Sequence, residues 1–156
     1  LLSKFSNAIG IGVDASEAAL DIAKQNAAAL GLEERATFVV SDWTEKVEDQ
    51  FDIVIANPPY IPSSDIPNLE ADVAQYEPLS ALDGGANGLE SYRKILRQLP
   101  KVLMDDASIF LESGAGQASA VSEMVREIGF QHIETKKDLA GIERCVIGKL
   151  RILPII

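Results

Sequence analysis

The chain has one cysteine, one histidine and one tryptophan in 156 residues. A lone cysteine has no partner in the chain, so no internal disulfide is expected. Cys145 lies in Glu143-Arg144-Cys145-Val146-Ile147 and reads as a small hydrophobe on a strand, with no chemistry assigned to it. With His132 alone, a histidine-rich metal site and a redundant supply of histidine bases are both excluded; no metal is expected, and His132 should sit on a strand surface. Nor is there a run of about 18 apolar residues, or a charged-then-apolar leader with a small-residue cleavage site. The sequence therefore reads as a soluble, cytoplasmic chain without a membrane partner. Basic residues are few: 14 Lys and Arg against 24 Asp and Glu leave a net charge of −10. Nucleic-acid binding rests largely on Lys and Arg neutralising phosphates, so a protein substrate is favoured over direct DNA or RNA contact. The length suits one domain with a real core. The chain begins at Leu1 rather than Met and reads as a piece of a longer polypeptide.

What is present alternates strands with helices. Ala8 to Val13 is a short apolar run ending at Asp14. Ser16 then opens a helical pattern through Leu30, with Glu17 in the first turn and Gly31 as the stop. A second strand, Ala36 to Val40, ends at Ser41-Asp42-Trp43, and a third, Phe51 to Ala56, runs into Asn57-Pro58-Pro59-Tyr60. Residues 61 to 88 are rich in Pro, Ser, Asp and Gly and read as a long surface loop with a helical turn near Asn68 to Gln75; such loops are usually functional. Leu89 to Met104 has helical spacing, with a kink or break at Pro100. A strand over Ala107 to Glu112, a helix over Gln117 to Ile128, and an antiparallel hairpin from Gln131 to Lys137 and Glu143 to Leu150 complete an α/β pattern with a mainly parallel sheet.

The chemistry concentrates at strand ends, where open α/β sheets bind ligands. Two successive prolines donate no backbone hydrogen bond and have fixed φ, and Pro58 pushes Asn57 toward an extended conformation. A stiff corner presenting acceptors results: the Asn57 side-chain oxygen and the Pro58 carbonyl can grip a planar –NH2 group, with the Tyr60 ring as a flat neighbour. The plain alternative is an ordinary strand-ending turn. Asp14 stands where an acidic side chain can accept from both hydroxyls of a ribose; taken alone, a turn Asp beside a helix N-terminus explains it better. Asp42 can accept from an adenine amino group while Trp43 covers the ring, although Trp43 also suits core filling. Gly10-Ile11-Gly12 precedes the strand-ending Asp14 and lacks a third glycine, and Ser113-Gly114-Ala115-Gly116-Gln117 lacks a Lys-Ser/Thr pair, so neither should bind phosphate.

Asn-Pro-Pro-Tyr resembles the signature of S-adenosylmethionine-dependent methyltransferases acting on amide or exocyclic amine nitrogens. The wider set is more selective: Val-Asp-Ala-Ser at 13 to 16, Ser-Asp-Trp at 41 to 43, Asn-Pro-Pro-Tyr-Ile at 57 to 61, Tyr76-Glu77-Pro78, Ala-Leu-Asp-Gly-Gly at 81 to 85, Asn87-Gly88-Leu89, Glu112-Ser113-Gly114 with Gln117, and Asp138-Leu139-Ala140-Gly141 with Arg144. Together these resemble the release-factor glutamine methyltransferases, the PrmC/HemK family, over nearly all residues from about 8 to 148.

The resemblance implies a Rossmann-like class I methyltransferase sheet with a carboxyl-terminal antiparallel hairpin, S-adenosylmethionine as cofactor, and N5-methylation of a glutamine side chain in a peptide-chain release factor. It places Asp14 on the cofactor ribose, Asp42 and Trp43 on the adenine side, and Asn57 between cofactor and substrate. Asn57, Pro58, Pro59 and Tyr60 would bind the substrate amide; Asn57, Pro58 and Tyr60 would act in the transfer. Family members also carry a first, central strand with a Gly-rich loop and an amino-terminal helical domain. Neither is found in residues 1–156, so the chain is expected to be a partial catalytic domain that by itself binds cofactor weakly or not at all and is catalytically inactive. Ala74 stands where Arg is expected, and Asp105-Asp106-Ala107-Ser108 replaces a Gly-containing turn. Two other readings remain: an adenine-N6 DNA or RNA methyltransferase acting on a flipped base, and an inactive protein-binding module.

Overall fold

The computed structural model describes residues 1–69 and 77–150. The expected helical turn near Asn68 to Gln75 lies mostly outside the described residues, as do Ala74 and Tyr76. The chain divides into two compact units, Leu1–Asp49 and Gln50–Ile156.

In the first unit, strand β1 (Gly10–Asp14) pairs in parallel with β2 (Ala36–Val40), joined by helix α1 (Glu17–Ala29). The helix starts where Ser16 predicts: its hydroxyl oxygen accepts from the Ala19 N–H at 3.3 Å. It stops at Gly31, whose φ of +64° is the left-handed cap that glycine adopts without a Cβ penalty. Gly12 packs as a strand glycine should, since a Cβ there would lie 2.8 Å from the Phe38 ring. Arg35 ties down the start of the chain by donating to the carbonyls of Leu2, Phe5 and Ala8.

The second unit holds a four-stranded mixed sheet in the order β3-β4-β6-β5. Strand β3 (Phe51–Ala56) runs parallel to β4 (Leu103–Glu112), and β4 and β5 (His132–Lys137) both run antiparallel to β6 (Glu143–Lys149). Between β3 and β4 come a 3₁₀ turn at Ile66–Asn68, the single helical turn α2 (Leu79–Leu82), and α3 (Glu90–Gln98). Pro100 breaks the helical pattern as expected, and Leu99–Lys101 tightens to 3₁₀. Two expectations need correction. Leu103 and Met104 are strand, not the end of a helix, and Asp105 and Asp106 continue it. The register jumps from Phe51↔Leu103 to Ile53↔Ser108, so the extra residues are absorbed in a bulge that two acidic side chains hide from a pattern reading.

Helix α4 (Ala118–Glu127) and α3 supply the apolar cover. Tyr92, Ile95 and Leu96 of α3, Val121 and Val125 of α4, and Ala107, Ile109 and Leu111 of β4 are all buried, with Phe130 and Val146 beside them. Each buried Val, Leu, Ile or Phe among them contributes roughly 1.5–3 kcal/mol through burial. Tyr92 is fully buried, and its hydroxyl donates to the Glu112 carbonyl at 2.7 Å, fixing the carboxyl end of β4. Tyr92→Phe removes this donor from a buried acceptor and is expected to cost about 1–2 kcal/mol in urea denaturation at unchanged m. Unchanged stability would show that the bond carries no weight.

Candidate active site

The Asn57 to Tyr60 corner leaves the carboxyl end of β3, where the sequence places it, but the strand is not a buried one: Ile53 and Ile55 are exposed. Its residues face different ways. The Pro58 ring is fully buried and anchors the corner, Pro59 and Tyr60 are half-buried, and Asn57 is exposed. The Asn57 side chain makes no hydrogen bond to the described residues, so its oxygen is an available acceptor on a fixed base. There are no cis peptide bonds among the described residues.

What holds this corner is a second segment, residues 82 to 90. The Ile61 N–H donates to the Leu82 carbonyl at 3.0 Å, the Gly84 N–H returns a bond to the Ile61 carbonyl at 2.8 Å, and Ile61 bridges Asp83 in parallel. Gly84 lies so close that a Cβ would meet the Cα atoms of Tyr60 and Gly88 at 2.8 Å each. One carboxylate organises the turn: Asp83 Oδ1 accepts from the Ser63 hydroxyl at 2.7 Å and the Gly85 N–H at 2.8 Å. The Ser63 hydroxyl and then the Gly85 amide hold the Asp83 carboxyl below the usual aspartate range. A depressed folded-state pKa contributes stability above the unfolded value and loses it as pH falls through the folded one. The pairing of Ile61 and Ser63 with Leu82 to Gly85 should therefore loosen in acid, below the ordinary aspartate range. Asp83→Asn should flatten that response, as read by amide exchange at Gly85 across pH; an unchanged acid response in Asp83→Asn would contradict this.

Tyr60 reaches the third side of the corner. Its hydroxyl donates to Glu112 Oε1 at 3.3 Å, at the end of β4. Burial, then the Glu112 charge, push the phenol above its ordinary pKa, so Tyr60 stays a neutral O–H donor and not a base. Beside Glu112, Arg144 donates from Nη1 to the Ser113 carbonyl at 3.5 Å and pairs through Nε with Asp138 at 3.5 Å. Asp138 Oδ1 in turn accepts from the Ala140 and Ile142 amides at 2.9 Å, which shapes the β5–β6 turn. An open cleft of about 390 Å³ adjoins the corner, lined by Tyr60, Ile61, Asp65, Asn87, the Gly114–Gly116 turn and Gln117.

The other predicted site residues belong to the first unit. Asp14 is the last residue of β1 and is exposed; its Oδ1 accepts from the Ser16 N–H at 2.8 Å, while its other oxygen makes no hydrogen bond to the described residues. The Ser41 N–H donates to the Asp14 carbonyl at 3.1 Å, which brings the β2 end carrying Asp42 and Trp43 next to it. Asp42 is exposed and Trp43 half-buried. Trp43 has φ +54°, the left-handed region, and no other described non-glycine residue does. A bulky side chain held there costs on the order of 1–3 kcal/mol, and such outliers cluster at ligand sites. The buried Ser41 braces the turn by accepting the Lys46 N–H at 3.0 Å. Asp14, Asp42 and Trp43 are thus gathered in one unit, and Asn57, Pro58, Pro59 and Tyr60 in the other. Residue-type reasoning gave no role to Asp83, Tyr92, Glu112 or Gln117: Asp83, Glu112 and Gln117 fall in segments that carry the resemblance, but the partners that give them a role lie 20 to 57 positions away.

Comparison with known proteins gives a consistent picture. The family described as methyltransferase domain matches residues 2–147. A release factor glutamine methyltransferase of Rhodospirillum rubrum is 46% identical over 151 residues, covering 97% of this chain and 46% of that protein. Its counterpart in Caulobacter vibrioides is 41% identical over 149 residues, covering 95% of this chain and 52% of that protein. The chain thus spans about half the length of these curated relatives. Among solved structures, a methyltransferase from Pyrococcus furiosus aligns with a TM-score of 0.69 at 17% identity, covering 97% of this chain and 67% of that one. At that identity the likeness speaks for the fold alone, a Rossmann-like methyltransferase fold. No helix among the described residues is long and apolar enough to cross a membrane.

Proposed function

Because the chain belongs to the methyltransferase-domain family, we propose that it carries the acceptor corner of an enzyme that methylates the side-chain nitrogen of a glutamine in a peptide-chain release factor. The observation that carries this reading is the Asn57 side chain, exposed and without a hydrogen bond to the described residues, on a corner locked by a buried Pro58. Relatives at 46% and 41% identity, named release factor glutamine methyltransferases, supply the substrate class.

S-adenosylmethionine is the cofactor of this proposal, and when bound it supplies an electrophilic methyl group. The first unit fits such a molecule: Asp14 keeps one carboxylate oxygen available for a hydroxyl pair, and Trp43 is held in a strained backbone conformation beside Asp42. On the substrate side, a carboxamide nitrogen is a poor nucleophile because its lone pair is delocalised into the carbonyl. The Asn57 side-chain oxygen and the Pro58 carbonyl accept its two N–H groups, orient the lone pair, and stabilise the positive charge that grows on nitrogen. That interaction strengthens toward the transition state, so it lowers the barrier rather than merely tightening binding. Tyr60, neutral and hydrogen-bonded to Glu112, lies against the amide plane as a fixed wall and takes no proton. The transfer needs positioning rather than a covalent enzyme intermediate, and the one proton that the methylated nitrogen gives up passes to solvent. A cytoplasmic location follows from the proposed substrate.

The acidic chain, with its 24 Asp and Glu residues, favours this reading over adenine methylation in a nucleic acid. Incubating the full polypeptide that carries residues 1–156 with labelled cofactor should label peptide-chain release factors and not DNA or RNA. Label in nucleic acid alone would replace this reading with the adenine one, and label in neither would favour a binding module.

A further inference from the structure

The carboxamide of Gln117, just ahead of α4, is in contact with three separate pieces of the second unit. Its Oε1 accepts from the Gly114 N–H at 3.0 Å, and its Nε2 donates to the Tyr60 carbonyl at 2.9 Å and, at a longer 3.5 Å, to the Gly88 carbonyl. The amide has one orientation only, because one end must accept and the other must donate. The surroundings are shaped to let it through. A Cβ on Gly114 would lie 2.6 Å from Gln117 Oε1 and 3.1 Å from the Tyr60 ring, and a Cβ on Gly88 would collide with the Tyr60 carbonyl and Gln117 Nε2. Gly88 also has φ +71°. Glycine at 88 and at 114 is therefore what allows a side chain 57 positions away in sequence to reach the corner.

We propose that Gln117 is a positioning residue for the methyl acceptor: by capturing the Tyr60 carbonyl it locks the last link of the Asn57 corner to the turn that opens α4. This rests on the reading of Asn57 and Pro58 as the carboxamide acceptors. The carbonyl of Tyr60 is thereby removed from the set the corner can offer a substrate. The two remaining acceptors, Asn57 and Pro58, lie three and two residues upstream, and a free Tyr60 peptide would loosen the link that holds them in place.

Gln117→Met keeps the length and volume of the side chain while removing both hydrogen-bonding ends. Made in the full polypeptide, it should raise amide exchange at Ile61 and Gly84 roughly tenfold, the weight of one net hydrogen bond. Exchange at Ile109 and Val121 should not move. In the same variant kcat for methyl transfer should fall about tenfold with KM for the protein substrate changed less than threefold, the signature of lost positioning. Gly114→Ala, which crowds Gln117 out, should reproduce both effects. The proposal is overturned if Ile61 and Gly84 exchange as in the parent protein, or if exchange rises equally at Ile109 and Val121, which would mark a merely structural role. If the exchange pattern holds but the parent protein methylates no carboxamide, the clamp stands and the functional reading is what fails.

Discussion

Asn57→Ala is expected to reduce methyl transfer by about 10²–10³-fold while leaving the protein as stable as its parent. The size of the loss follows from removing one preorganised polar group aimed at charge that develops in the transition state. The sparing of stability follows from where Asn57 sits. Its side chain is exposed and bonds to none of the described residues, so truncation creates no cavity and strands no buried partner. A KM within a few-fold of the parent value should accompany the fall in kcat, because the contact matters most once the nitrogen becomes positive. Activity retained within a factor of three would mean that Pro58 alone, or a group elsewhere, holds the amide.

Gly84→Ala should produce the opposite pairing, a protein both destabilised and inactive. A methyl group at position 84 meets backbone, not a flexible side chain: the Cα atoms of Tyr60 and Gly88 lie 2.8 Å away and the Gly88 carbonyl carbon 2.9 Å. Contacts that short force one of the two segments to move. Overpacking of this kind costs about 1–3 kcal/mol. The displaced element is the one that matters, because Gly84 and Ile61 are also bonded N–H to carbonyl at 2.8 Å. Thermal unfolding should show a fall of several degrees, about what 1–3 kcal/mol gives in a domain of this size, together with loss of methyl transfer. A stable, active Gly84→Ala would show that the 82–90 segment does not hold the corner in solution.

Much of this arrangement could be read in the residue pattern, and the reasons are local. Ser16 and Gly31 bracket α1 because capping depends on a few neighbouring atoms. Phe51 to Ala56 reads as a strand because an apolar run interrupted only by Asp52 and bounded by a proline turn has few alternatives, and the corner after it follows from the fixed φ of two prolines. The β5–β6 hairpin is legible from alternation on both sides of a Gly-containing turn. The start of β4 was not, because Asp105 and Asp106 stand in a bulge where pairing with β3 lapses and burial no longer dictates residue type. The left-handed backbone of Trp43 left no trace, since tryptophan is among the residues least expected there. The ties from Glu112 and Gln117 to Tyr60 depend on how β4 and α4 are placed against β3, a tertiary fact that spans 52 and 57 positions. The motif thus located the corner, while only the fold explained what keeps it rigid.

The most direct test is to locate the transferred methyl group. The full polypeptide, supplied with S-adenosylmethionine and a peptide-chain release factor, should place one methyl on the side-chain nitrogen of a glutamine, mapped by tandem mass spectrometry of the digested product. Asn57→Ala should leave that peptide unmodified in the same interval. A methyl group found on a carboxylate, an amine or a nucleobase, or transfer to the glutamine at parent rate by Asn57→Ala, would contradict the assignment of this corner as a carboxamide grip.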